Sequence, residues 1–133
     1  MIDENLLFNE ALIARENSYS PYSKFKVGAC ALLKNGKIYR GCNIENSSYG
    51  LSNCAERTTL FKLYSDGYNK DDVVAFAVIG STEGPISPCG ACRQVMSELL
   101  NLDCPVYLFN LDHKLKKTTV SELLPYPFSK EDL

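Results

Sequence analysis

Three cysteines at the starts of two helices constrain this chain more than any other feature. Cys54 lies in Asn53-Cys54-Ala55-Glu56-Arg57, and Cys89 and Cys92 lie in Ser87-Pro88-Cys89-Gly90-Ala91-Cys92-Arg93-Gln94. Each stretch leads a loop into a helical pattern, and Pro88 is well tolerated there because a first-turn N–H is unsatisfied anyway. A thiol at a helix N-terminus is acidified by the dipole and the free N–H groups, which favours the thiolate a metal needs. For one ion to take all three sulfurs, the fold must bring the two helix ends together.

The other cysteine counts narrow the options. Six cysteines in 133 residues fall below the ~8–10% of small disulfide scaffolds. The N-terminus, Met-Ile-Asp-Glu-Asn, is acidic where a secretory signal is basic, so a disulfide framework is not expected. The longest apolar run, Val73 to Ile79, is far short of the ~20 residues that span a bilayer, so a cytoplasmic protein with no membrane partner is expected. Sixteen acidic and fourteen basic residues supply no broad positive footprint, which argues against a nucleic-acid partner. The single histidine, His113, sits in a polar turn-like stretch and reads as a solvated loop residue.

Periodicity gives the organisation. Leu6, Leu7, Phe8, Ala11, Leu12 and Ala14 fall at helical spacing over residues 3–17, with Asp3 as N-cap. Ser18-Tyr19-Ser20-Pro21-Tyr22-Ser23 breaks that helix. Lys26–Leu33 and Lys37–Asn43 are strand-like and meet at Asn35-Gly36, a strong hairpin signal. Helices are expected over Cys54–Ser65 and Gly90–Leu100, a central strand over Val73–Ile79 and another over Val106–Asn110. Lys114–Lys117 reads as a basic turn, Val120–Leu124 as a helical turn, and Pro125–Leu133 as a tail. Strands alternating with helices imply an α/β domain of two or three layers, and nothing divides residues 1–133 into more than one domain.

Three thiolates make three corners of a tetrahedron with zinc–sulfur distances of about 2.3 Å. A structural zinc would recruit a fourth protein ligand, and Cys30, Cys42, Cys104 and His113 are the candidates, none at a second ligand-like spacing. A catalytic zinc would leave that corner to water and need an acid/base nearby, which Glu56 supplies. Arg57, three residues after Cys54, shares its helix face and can reach the same sulfur. That matters because three thiolates outweigh the ion's charge, and a guanidinium on the sulfurs restores its Lewis acidity. A redox dithiol at Cys89 and Cys92 is the remaining alternative, and it would leave Cys54 without a role.

Cys54-Ala55-Glu56 followed by Pro88-Cys89-x-x-Cys92 resembles the zinc-dependent nucleoside deaminases, and most closely the small cytidine deaminases that act on free nucleosides. The likeness runs from Tyr19-Ser20-Pro21-Tyr22-Ser23-Lys24-Phe25-Lys26-Val27-Gly28-Ala29 through Gly41-Cys42-Asn43-Ile44-Glu45-Asn46 to Leu123-Leu124-Pro125 and Phe128. It implies a three-layer α/β/α fold with a mixed five-stranded sheet, an N-terminal hairpin and helices on both faces. It implies hydrolytic deamination of cytidine and deoxycytidine in pyrimidine salvage, with Cys54, Cys89 and Cys92 on one Zn2+ and Glu56 as proton shuttle. Asn43 and Glu45 would hold the ribose, Phe25 would pack on the pyrimidine and the Ala55 backbone would hold the base edge, with Arg57 behind the sulfurs. In a homotetramer, Tyr49 and Phe128 would reach into neighbouring sites. Glu45 near the sugar would repel a phosphate, so the implied substrate is an unphosphorylated nucleoside.

Overall fold

The computed structural model describes residues 2–133. Helix α1 spans Glu4–Arg15, and the Asp3 carboxylate accepts from the Asn5 and Leu6 amides at its start. It buries Leu7, Ala11 and Ala14, a stripe at one-turn spacing, and ends two residues before the break expected from sequence. Strands β1, Val27–Leu33, and β2, Ile38–Cys42, form the hairpin. Its turn closes through the Gly36 amide donating to the Leu33 carbonyl at 2.9 Å, with Gly36 at φ +86°. A left-handed residue at that point is what glycine permits cheaply.

The chain continues through α2 (Ala55–Ser65), β3 (Val73–Gly80), α3 (Gly90–Leu99), β4 (Pro105–Asn110), β5 (Leu115–Thr119) and the short α4 (Val120–Leu123). The sheet order is β2-β1-β3-β4-β5, with β3 and β4 parallel and every other pair antiparallel. Strand β3 is covered on both faces, as its unbroken apolar run requires. Phe76 and Val78 face a core with Leu60, Leu63, Met96 and Val120 from α2, α3 and α4, while Ala75, Ala77 and Ile79 face Leu7 and Ala11 of α1. The result is the three-layer α/β/α arrangement with a mixed five-stranded sheet. No helix among the described residues is long and apolar enough to cross a membrane.

Two local readings change. Lys114–Lys117 is not simply a turn, because Leu115–Thr119 pairs with β4 as an edge strand, with Lys116 opposite Leu108. Its exposed lysines mask the apolar alternation and also protect the open edge from pairing with another chain. His113 is indeed an exposed loop residue, at φ +66°, but its ring is not free in solvent. It packs on Phe8 with centroids 4.2 Å apart, and its Nε2 lies 3.2 Å from Asn5 Oδ1.

The register gathers three chain ends at one end of the sheet. Gly28 pairs with Cys42, and Val27 pairs with Gly80. The segment before β1, the segment after β2 and the loop after β3 therefore leave the sheet side by side. Glycines let the flanking helices approach: a Cβ on Gly28 would lie 2.2 Å from the Ala11 carbonyl oxygen, and one on Gly41 would lie 2.3 Å from Thr59 Oγ1. The Gly28→Ala substitution therefore lifts α1 from the sheet and lowers stability by about 1–3 kcal/mol. Urea unfolding followed by circular dichroism checks this as a lower midpoint at unchanged slope.

Candidate metal and substrate site

Helices α2 and α3 both begin on a cysteine. Cys54 is the N-cap of α2 and Cys89 the N-cap of α3, and neither helix is capped by a side-chain oxygen. Cys92 lies in the first turn of α3 and is buried. The Sγ atoms of Cys54, Cys89 and Cys92 all lie within 4.8 Å of one another, and those of Cys54 and Cys89 are 3.8 Å apart. A tetrahedron with 2.3 Å arms has edges of about 3.8 Å, so the spacing fits three thiolates around one zinc. It is far too long for a disulfide, and all six cysteines are free thiols.

The surroundings favour charge on the Cys54 sulfur. The Cys92 thiol and then the Arg57 guanidinium hold the Cys54 thiol down at about 5, although burial works the other way. Cys92 moves upward in return, because it donates to Cys54 and is itself buried. Arg57 Nη2 is 3.3 Å from Cys54 Sγ, and Arg57 Nε is buried with no hydrogen-bond partner among the described residues. Arg57 thus reaches the sulfur its spacing allows, and among the described residues no ion pair joins it to Glu56.

Glu56 is only 4% exposed, at the second position of α2. Burial pushes its carboxyl up to about 7, and the Cys54 sulfur adds to the rise. A carboxyl there is placed to take up and give back a proton near neutral pH, which suits a general acid/base. The uncapped start of α2 leaves the N–H of Ala55, its first residue, turned toward the same end of the helix.

Asn43 and Glu45 follow β2 on one face of the chain. Ile44 between them exchanges two 2.9 Å backbone hydrogen bonds with Asn53, which fixes this extension beside Cys54. The Asn43 amide donates to the Phe25 carbonyl at 2.7 Å and accepts from the Val27 amide and the Ser18 hydroxyl. One of its N–H donors is unused. Glu45 accepts from the Tyr22 and Ser23 amides at 3.0 and 3.1 Å and from the Ser23 hydroxyl. These bonds, the hydroxyl first, hold its carboxyl below the ordinary range. Phe25 is 36% exposed, and its ring lies near Gly80 at the end of β3, close to Ile86.

Other residues stand apart. Tyr49 is 73% exposed and meets the edge of Tyr22, and Phe128 is 61% exposed while its carbonyl accepts from Gln94 of α3. Neither side chain is buried against this chain's own sulfur cluster. Cys30, Cys42 and Cys104 are buried away from it, and burial pushes the Cys30 and Cys104 thiols up to about 12, so they behave as small apolar groups. The hydroxyls of Ser18 and Ser23 are the polar partners that periodicity did not single out. The stretch holding them reads only as a helix break, and their bonds reach across more than twenty residues.

Comparison with known proteins agrees with this geometry. The cytidine and deoxycytidylate deaminase zinc-binding region matches residues 1–107. A cytidine deaminase of Halalkalibacterium halodurans is 57% identical over 99% of this chain and 98% of its own length. One of Sporosarcina psychrophila is 56% identical over 99% and 96%. The crystal structure of cytidine deaminase from Burkholderia pseudomallei, at 49% identity, superposes with a TM-score of 0.93, covering 96% of this chain and 100% of that one.

Proposed function

The chain belongs to the cytidine and deoxycytidylate deaminase family, and from that premise we propose a mechanism in which Glu56 carries the protons. The reaction is the zinc-dependent hydrolysis of cytidine to uridine and ammonia, and we extend it to deoxycytidine. Cys54, Cys89 and Cys92 hold the ion. Bound zinc supplies Lewis acidity, which makes water a competent nucleophile near neutral pH.

The remaining steps belong to the protein. The Glu56 carboxylate takes one proton from the attacking water and passes it to ring N3 as the oxygen bonds to C4. It then carries the second proton to the amino group, the C4–N bond breaks, and ammonia leaves with a carbonyl at C4. The observation that carries this assignment is a carboxyl 4% exposed, two residues after Cys54, which burial and the Cys54 sulfur push up to about 7. Arg57 draws electron density from the Cys54 sulfur and offsets the excess negative charge of three thiolates.

Binding follows from the unused hydrogen-bonding capacity. The free Asn43 N–H and one free lone pair on Glu45 suit a hydroxyl that accepts from the first and donates to the second. Phe25 packs on the pyrimidine, and the Ala55 N–H holds the base edge. The Glu45 charge disfavours a phosphate on the sugar. Residues 1–133 act as one deaminase domain, the protein works in the cytoplasm, and four chains close each site. That assembly is supported by Tyr49 and Phe128, large aromatic side chains that this chain leaves exposed.

Replacing Glu56→Gln leaves fold and zinc content intact and lowers kcat by on the order of 10² or more. The loss of cytidine absorbance measures it, and a folded, zinc-loaded variant at full rate would refute the role. In the same assay, turnover of cytidine monophosphate equal to that of cytidine contradicts the sugar assignment. Sedimentation equilibrium of the active protein checks the assembly: a mass of four chains is expected, and a monomer active at full rate contradicts it.

A further inference from the structure

The segment between α1 and β1 contains little regular structure, yet it carries Phe25 and receives Glu45. It is tied to the chain after β2 by the Tyr19 amide donating to the Asn43 carbonyl at 3.1 Å and the Glu45 amide donating to the Tyr19 carbonyl at 2.8 Å. Within it, Lys24 stands at φ +60°, a conformation sparsely populated for a lysine. Such a residue persists where its surroundings over-determine it.

Ser23 makes three of the bonds that do so. Its amide donates to Glu45 Oε1 at 3.1 Å, its hydroxyl donates to Glu45 Oε2, and its hydroxyl oxygen accepts from the Phe25 amide at 3.0 Å. The direction of this relay is fixed by the groups present. An ionised carboxylate only accepts, so the Ser23 proton points to Glu45 and a lone pair remains for Phe25. With the Tyr22 amide also on Oε1, three of the four lone-pair directions of Glu45 are filled, and the one left lies on Oε2, the oxygen that Ser23 holds.

We propose that Ser23 is a positioning residue for nucleoside recognition, its hydroxyl joining the Glu45 carboxylate to the Phe25 backbone so that sugar and base contacts are set together. The proposal rests on the reading of Glu45 as a ribose ligand and Phe25 as a base ligand. Ser23 acts through both and touches neither zinc nor the reacting carbon. Without its hydroxyl, Glu45 Oε2 can swing to solvent, Lys24 can relax from its left-handed conformation, and Phe25 loses its fixed place near Gly80 and Ile86.

The test uses the zinc-loaded protein with Ser23→Ala and Ser23→Thr, assayed on cytidine and 3′-deoxycytidine. Ser23→Ala is expected to raise KM for cytidine on the order of 10-fold with kcat within about twofold, because binding contacts are lost before chemistry. The preference for cytidine over 3′-deoxycytidine is expected to shrink by a similar factor, and Ser23→Thr, which keeps the hydroxyl, is expected to restore both. An unchanged KM and preference in Ser23→Ala overturns the proposal. So does an equal loss on both substrates accompanied by a lower melting temperature, the signature of a merely structural serine. Amide hydrogen exchange at Tyr22 and Phe25 needs no substrate and separates this idea from the reading beneath it. Faster exchange in Ser23→Ala supports the loop-holding role even if the unaltered protein failed to turn over cytidine, and unchanged exchange overturns it in either case.

Discussion

The fold is organised around the meeting of two helix N-termini at one point. Each of α2 and α3 begins on a sulfur where an oxygen cap would be usual, so the free N–H groups and positive dipole ends of both face the same cluster. Thiols held 3.8 Å apart would repel as anions without that field and without the Arg57 guanidinium beside Cys54. Much of the packing serves to keep the two helices together. Gly41 lets α2 rest on the β2 backbone, and the Tyr64 hydroxyl donates to the Leu99 carbonyl at 2.9 Å, tying the far ends of α2 and α3.

The sheet gives that meeting point its neighbours. Antiparallel pairing of β1 with both β2 and β3 sends Phe25, Asn43 and Ile86 out of one end of the sheet, close to where the cysteine helices start. The site is therefore assembled from sequence segments far apart, each carried by the end of a rigid element. A scarcity of histidine is no obstacle to such chemistry. A carboxyl raised toward neutrality can carry protons in place of an imidazole, and burial pushes Glu56 up to about 7.

Local signals made much of this legible in the sequence. The Asp3 cap, the Asn35-Gly36 turn and the unbroken apolar run of β3 are decided by neighbours in the chain, and the structure has them within a residue or two of the expected bounds. The cysteine spacings implied convergence, and the three-residue step from Cys54 to Arg57 implied the contact that is present. What stayed hidden depends on distant partners. Strand β5 exists because β4 pairs with it, and its lysines conceal the pattern. His113 finds Phe8 at the other end of the chain. The Ser18 and Ser23 bonds to Asn43 and Glu45 join two segments that only the β1–β2 hairpin brings together.

Cys54, Cys89 and Cys92 offer a metal three thiolates, and catalysis requires the fourth position to stay open to water. X-ray absorption at the zinc edge of the purified, zinc-loaded protein reads that coordination. Three sulfurs at about 2.3 Å and one oxygen at about 2.0–2.2 Å are expected. Four sulfurs, or a nitrogen from His113 in the fourth place, would make the site a closed structural one with no room for a catalytic water.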